Sequence, residues 1–150
     1  VLRGIAILIE IELDEVETGL LTLKPIGSEE KRYKLHFIDL NGLGIRELCF
    51  KENNLLILAG PTMSLDASMR LFQLNDPFSL QENSFTKQDD KILKFLFEIP
   101  HGFQEDRAEG ITIYPHNNSH ESILIVYDTP NQQRLSDNKF TVLADVFELA

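Results

Sequence analysis

Cysteine is almost absent: Cys49 is the single one in 150 residues, which excludes an internal disulfide. It lies in the apolar run Leu48-Cys49-Phe50 with no base beside it, so it reads as a small buried residue rather than a nucleophile. This usage fits a soluble chain in a reducing cytoplasm and does not exclude an exported one. Basic residues are scarce as well, 14 Lys and Arg against 24 Asp and Glu, for a net charge of −10. Such a surface repels phosphate backbones and anionic bilayers, so neither nucleic acid nor membrane is an expected partner. Long hydrophobic runs are missing. The longest stretch, residues 4–13, is interrupted by Glu10 and Glu12; it is too short and too charged to cross a bilayer and lacks the layout of a signal peptide. No segment keeps a helical period. No Gly-x-Ser-x-Gly elbow occurs, and Gly42-Leu43-Gly44 lacks the third glycine and following helix of a dinucleotide fingerprint.

What is present is strand pattern. The hydrophobic share of 43% is ordinary for a folded globular chain, and the length suits a single domain that buries roughly two-thirds of its unfolded surface. Ile5, Ile7, Ile9, Ile11 and Leu13 alternate with Ala6, Leu8, Glu10 and Glu12. A period of two predicts a strand with the aliphatic face buried and the other turning polar toward one end. Further strands are predicted over residues 20–23, 33–40, 45–50, 55–59, 69–74, 93–99, 111–114 and 123–127, with a last strand or pair in 140–149. Turn chemistry separates them: Asn41-Gly42, Glu52-Asn53, Gly60-Pro61 and Asn75-Asp76-Pro77. Residues 79–91 are polar and read as loop. The fold class is all-β.

The strands recur in order. Lys34-Leu35-His36-Phe37 is answered by Lys94-Phe95-Leu96-Phe97, Gly44-Ile45 by Gly110-Ile111, and Leu56-Ile57-Leu58-Ala59-Gly60-Pro61 by Ile125-Val126-Tyr127-Asp128-Thr129-Pro130. Met69 to Leu74 is answered by Ala144 to Leu149. Repeats of short strands at this scale point to a propeller or β-array. The expected architecture is a partial β-propeller of two to three four-stranded antiparallel blades, in units of about 1–40, 41–100 and 101–150, with a β-sandwich as the alternative. The segment 5–13 then reads as the third strand of a preceding blade. With Val1 rather than Met at its start, the chain reads as the C-terminal part of a larger propeller, in which self-association would cover any open blade edge.

With the strands placed, Gly42-Leu43-Gly44-Ile45-Arg46-Glu47-Leu48 and Leu55-Leu56-Ile57-Leu58-Ala59-Gly60-Pro61-Thr62-Met63 resemble a bacterial family catalogued as domain of unknown function 3616. Leu65-Asp66, Glu109-Gly110-Ile111, Val126-Tyr127-Asp128 and Ala144-Asp145-Val146-Phe147 extend the resemblance over most of the chain. Where that family resembles Leu-Asp-Gly-Pro, this chain has Leu65-Asp66-Ala67-Ser68, without the turn glycine. The resemblance implies a propeller-like fold and no particular activity.

Glu109 opens a predicted innermost strand and Asp128 closes the strand beside it, so both are candidates for one rim of a channel. Two neighbouring carboxylates repel and need a cation, an arginine or a shared proton. Oxygen-rich pairs suit calcium or magnesium, and the Glu-Gly-Ile opening resembles phytase-like and lactonase-type propellers, where a carboxylate holds a metal. The alternative is that both acids cap turns. Arg46 and Arg134 are possible guanidinium partners for them. Asp66 and Arg70 flank a turn where an Asp bonds its own backbone or meets a ligand. His116 and His120 have zinc-like spacing only on a helix, and they fall in a loop. Two functions follow: a binding or scaffold module with a small-molecule or protein ligand at the channel rim, or a divalent-metal hydrolase of small esters, lactones or phosphates.

Overall fold

In a computed structural model, residues 4–62, 68–89, 91–103, 105–116, 120–138 and 140–149 are described. Twelve strands are found among them: β1 (Ala6–Glu10), β2 (Leu13–Glu17), β3 (Leu20–Leu23), β4 (Lys34–Ile38), β5 (Gly44–Lys51), β6 (Asn54–Gly60), β7 (Met69–Asn75), β8 (Ser84–Thr86), β9 (Leu93–Ile99), β10 (Arg107–His116), β11 (His120–Asp128) and β12 (Asp145–Glu148). Short 3-10 turns are the only helical elements among the described residues. The fold is all-β, and among the described residues the sheets do not close into a barrel.

The central sheet runs β5-β6-β7-β9, antiparallel throughout. β5 and β6 meet across the two-residue turn Glu52-Asn53, with Glu52 in the left-handed region at φ 53°. β6 carries an unbroken apolar run because it is buried on both faces. Leu55, Ile57 and Ala59 point into one core with Phe72, Leu74, Leu93, Ala6, Ile38 and Leu40. Leu56 and Leu58 point into a second core with Met69, Leu71, Ile99, Ala108, Ile123 and Ile125. The central sheet is therefore the middle of three stacked layers, between sheet β1-β4-β8 and sheet β10-β11-β12. The last sheet holds three strands, and its order repeats that of β5-β6-β7.

The first layer differs from the sequence reading in three respects. The segment 5–13 is not one strand: β1 ends at Glu10, and Leu13 begins β2, which pairs with β3 as a separate two-stranded hairpin. The polar-ended face of β1 is the inner one. Ala6 packs in the core while Ile9 is 58% exposed, because β4 sets Ile38, His36 and Lys34 directly opposite Ala6, Leu8 and Glu10. Finally, residues 79–91 are not all loop. β8 adds to β4 in parallel, so this sheet is mixed rather than purely antiparallel.

Candidate functional site

The first strands of the central and last sheets are each interrupted by a bulge, at Arg46 in β5 and at Glu109 in β10. A bulge re-aims a side chain out of the pleat, and these two meet: Arg46 Nη1 donates to Glu109 Oε1 at 3.0 Å. A second Arg46 nitrogen, Nη2, donates to the carbonyl of Pro61, just past β6. Asp128 stands opposite Arg107 in the ladder, is exposed, and accepts from the backbone N–H of Thr129 at 2.9 Å. Glu109 is thus held by an arginine and Asp128 by its own turn. Among the described residues, no three or more His, Cys, Asp or Glu side chains converge as a metal cage would require.

The other residues named from the sequence lie elsewhere. Arg70 faces Glu98 across β7 and β9, with Nε 3.7 Å from Glu98 Oε2 and the guanidinium 5.9 Å from the Phe95 ring centroid. Asp66 lies outside the described residues. His116 and His120 end β10 and begin β11 as opposed backbone partners. Arg134 does not fold back to Asp128. Its Nε donates to Asp106 Oδ1 at 2.9 Å, while Nη1 and Nη2 form a fork on Asp145 at 2.9 and 2.8 Å. The guanidinium also lies 4.2 Å from the Tyr127 ring centroid, and Tyr127 Oη donates to Asp145 Oδ2 at 2.6 Å. The fork from Arg134 outweighs burial and holds the Asp145 carboxyl below its usual range. Burial, followed by the bond to Asp145, pushes the Tyr127 phenol up. This cluster ties the loop after β11 to β12.

A third constellation was not singled out from the sequence. Between the first two layers lies a cavity of about 270 Å³. Leu8, Ile9 and Ile11 line it from the first layer; Leu48, Phe50 and Leu55 line it from β5 and β6, with Pro77 and Phe78 completing the wall. The Phe50 and Phe78 rings stack with centroids 5.6 Å apart. Its polar side chains are Glu10 and His36. His36 is only 1% exposed, and both ring nitrogens are engaged. Nε2 lies 3.0 Å from Glu10 Oε2; Nδ1 lies 3.2 Å from the Gln81 carbonyl and 3.3 Å from Ser84 Oγ. With an ionised carboxylate at Nε2, that nitrogen carries hydrogen. Nδ1 then accepts from the Ser84 hydroxyl or, protonated, donates to Gln81. Lys34 Nζ donates to the other Glu10 oxygen at 3.0 Å. Burial opposes ionisation of Glu10, yet the bonds from Lys34 and His36 prevail and hold its carboxyl below the usual range.

A family model described as Protein of unknown function (DUF3616) matches residues 1–145. The chain belongs to that family. No curated protein and no solved structure matches it. The DUF3616 match covers β1 to β11, the Arg46–Glu109 bridge and the residues that line the cavity. No helix among the described residues is long and apolar enough to cross a membrane.

Chemically, the three constellations differ. Arg46–Glu109 and Arg134–Asp106–Asp145 are closed, with each charge facing its counter-charge. The cavity instead sets apolar side chains around one carboxylate that keeps acceptor capacity beyond its two donors. Sequence pattern offered one signal for it, the Glu10 that breaks an otherwise aliphatic run.

Proposed function

We propose that this DUF3616 chain is a binding module of the propeller type, with its stacked sheets as successive blades and its ligand in the cavity between the first two. The order shared by β5-β6-β7 and β10-β11-β12 supports the blade reading, as do the first strands β5 and β10 joined through Arg46 and Glu109. On this reading that pair is a brace fixing blade spacing, the scaffold part of the function. Arg46 already supplies the positive charge that a divalent cation would otherwise bring to Glu109.

The observation that carries the proposal is the cavity itself. A concave apolar site with few convergent polar groups is the general form of a small-molecule site, and about 270 Å³ falls just below the usual range of roughly 300–1,000 Å³. The ligand is accordingly small. Titrating isotope-labelled protein with 2-phenylethanol, 2-phenylethylamine and phenylacetate, while following amide shifts, tests this. At least one probe should shift the amides of Leu8, Glu10 and Leu55, and the cavity-filling Leu48→Trp should remove the effect. Shifts scattered over other faces, or none with any probe, would refute the reading.

A further inference from the structure

Resting on the cavity as the binding site, we infer that its ligand is a small, largely apolar molecule with a hydrogen-bond-donating head, an alcohol or amine, and that carboxylates are rejected. The inference follows from what the lining side chains can still do. Both His36 nitrogens are committed, to Glu10 on one side and to Gln81 and Ser84 on the other. An ionised carboxylate accepts at about four lone-pair positions, and Glu10 has two of them taken, by Lys34 and His36. The polar capacity left to a ligand is therefore acceptor capacity. A donating head completes Glu10, whereas a second carboxylate would set lone pair against lone pair beside it.

Net charge does not decide the matter, because Lys34, which is not among the lining residues, already balances Glu10 at 3.0 Å. Direction decides it: the cavity offers lone pairs. The stacked Phe50 and Phe78 rings beside it supply flat apolar surface for the body of the ligand, and a cationic head also gains from aromatic faces.

The test compares dissociation constants of the same three probes, which share a phenylethyl-sized body and differ in the head group. In the wild-type protein the alcohol and the amine should bind at least about tenfold more tightly than phenylacetate, the ratio that one charge-assisted hydrogen bond supplies. Glu10→Gln places an amide that both donates and accepts at this position, and should bring phenylacetate to within about threefold of the alcohol. Phenylacetate binding the wild type as tightly as the others, or an unchanged ranking in Glu10→Gln, would overturn the inference. If Glu10→Gln does not fold, the wild-type ranking alone decides. Equal binding of all three leaves the cavity a binding site and rejects the ligand class; binding of none rejects both.

Discussion

Replacing Arg134 with alanine leaves Asp106 and Asp145 facing a common space with no cation between them. The arginine side chain is 18% exposed, and the two acids are 15% and 35% exposed. Fully exposed pairs contribute roughly 0–1 kcal/mol, and removing one partner of a buried pair costs about 3–5 kcal/mol. This cluster is intermediate, and Asp145, the more exposed acid, is the more screened. Loss of the stacking on Tyr127, about 0.5–1 kcal/mol, adds to the charge effect and brings the expected destabilisation to about 2–3 kcal/mol at pH 7. The pH dependence identifies the cause. Because the Arg134 fork holds the folded Asp145 carboxyl below its usual value, the stabilisation is complete above the unfolded pKa of about 3.9. It is lost as pH falls through the lower, folded value. In Arg134→Ala that fork is gone, so acid removes less from the variant than from the wild type. Urea unfolding at low salt, followed by far-ultraviolet circular dichroism, should show a wide gap between the two proteins at pH 7 that narrows toward pH 3. A gap under about 0.5 kcal/mol at pH 7, or one unchanged at pH 3, would refute the reasoning.

Other substitutions probe the packing. A Cβ on Gly110 would lie 2.7 Å from Val126 Cγ2; Gly110→Ala should cost about 1–3 kcal/mol, and adding Val126→Ala should restore most of it. Leu56→Ala, in the second core, should cost about 2–5 kcal/mol in chemical denaturation, whereas Val16→Ala in the exposed strand β2 should stay within about 0.5 kcal/mol. A double-mutant cycle of Arg46→Ala and Glu109→Ala should give a coupling of about 0.5–1 kcal/mol at low salt that weakens at high salt; zero coupling would remove the brace.

The central sheet was legible in the sequence because its four strands are short apolar runs bounded by turn residues, and because a strand buried on both faces carries its own signal. β2 was not. Leu13-Asp14-Glu15-Val16-Glu17 is exposed and acidic, and it becomes a strand through the Thr18-Gly19 turn, where Gly19 has φ +80°. β8 was hidden for another reason. Its three residues have no pattern of their own, and they are fixed by β4 and by bonds from Asn83 N–H to Leu35 O and from Asp39 N–H to Thr86 O. The inner face of β1 depends on what β4 sets opposite it, which alternation alone does not encode. Site residues share that difficulty. Arg46 was read as a possible partner of Glu109 and is one, but the two bulges that bring them together leave no mark in the strand pattern. Arg134 was recognised as a carboxylate partner, yet its acids, Asp106 and Asp145, are chosen by the loop path after β11. Glu10 and His36 are 26 residues apart and meet through strand pairing.

β6 belongs to both hydrophobic cores at once, sending alternate side chains into each. Neither half of the interior can loosen without uncovering a residue that the other half needs. The domain should therefore melt as one unit, its β6 amides exchanging with solvent last, on the timescale of complete unfolding.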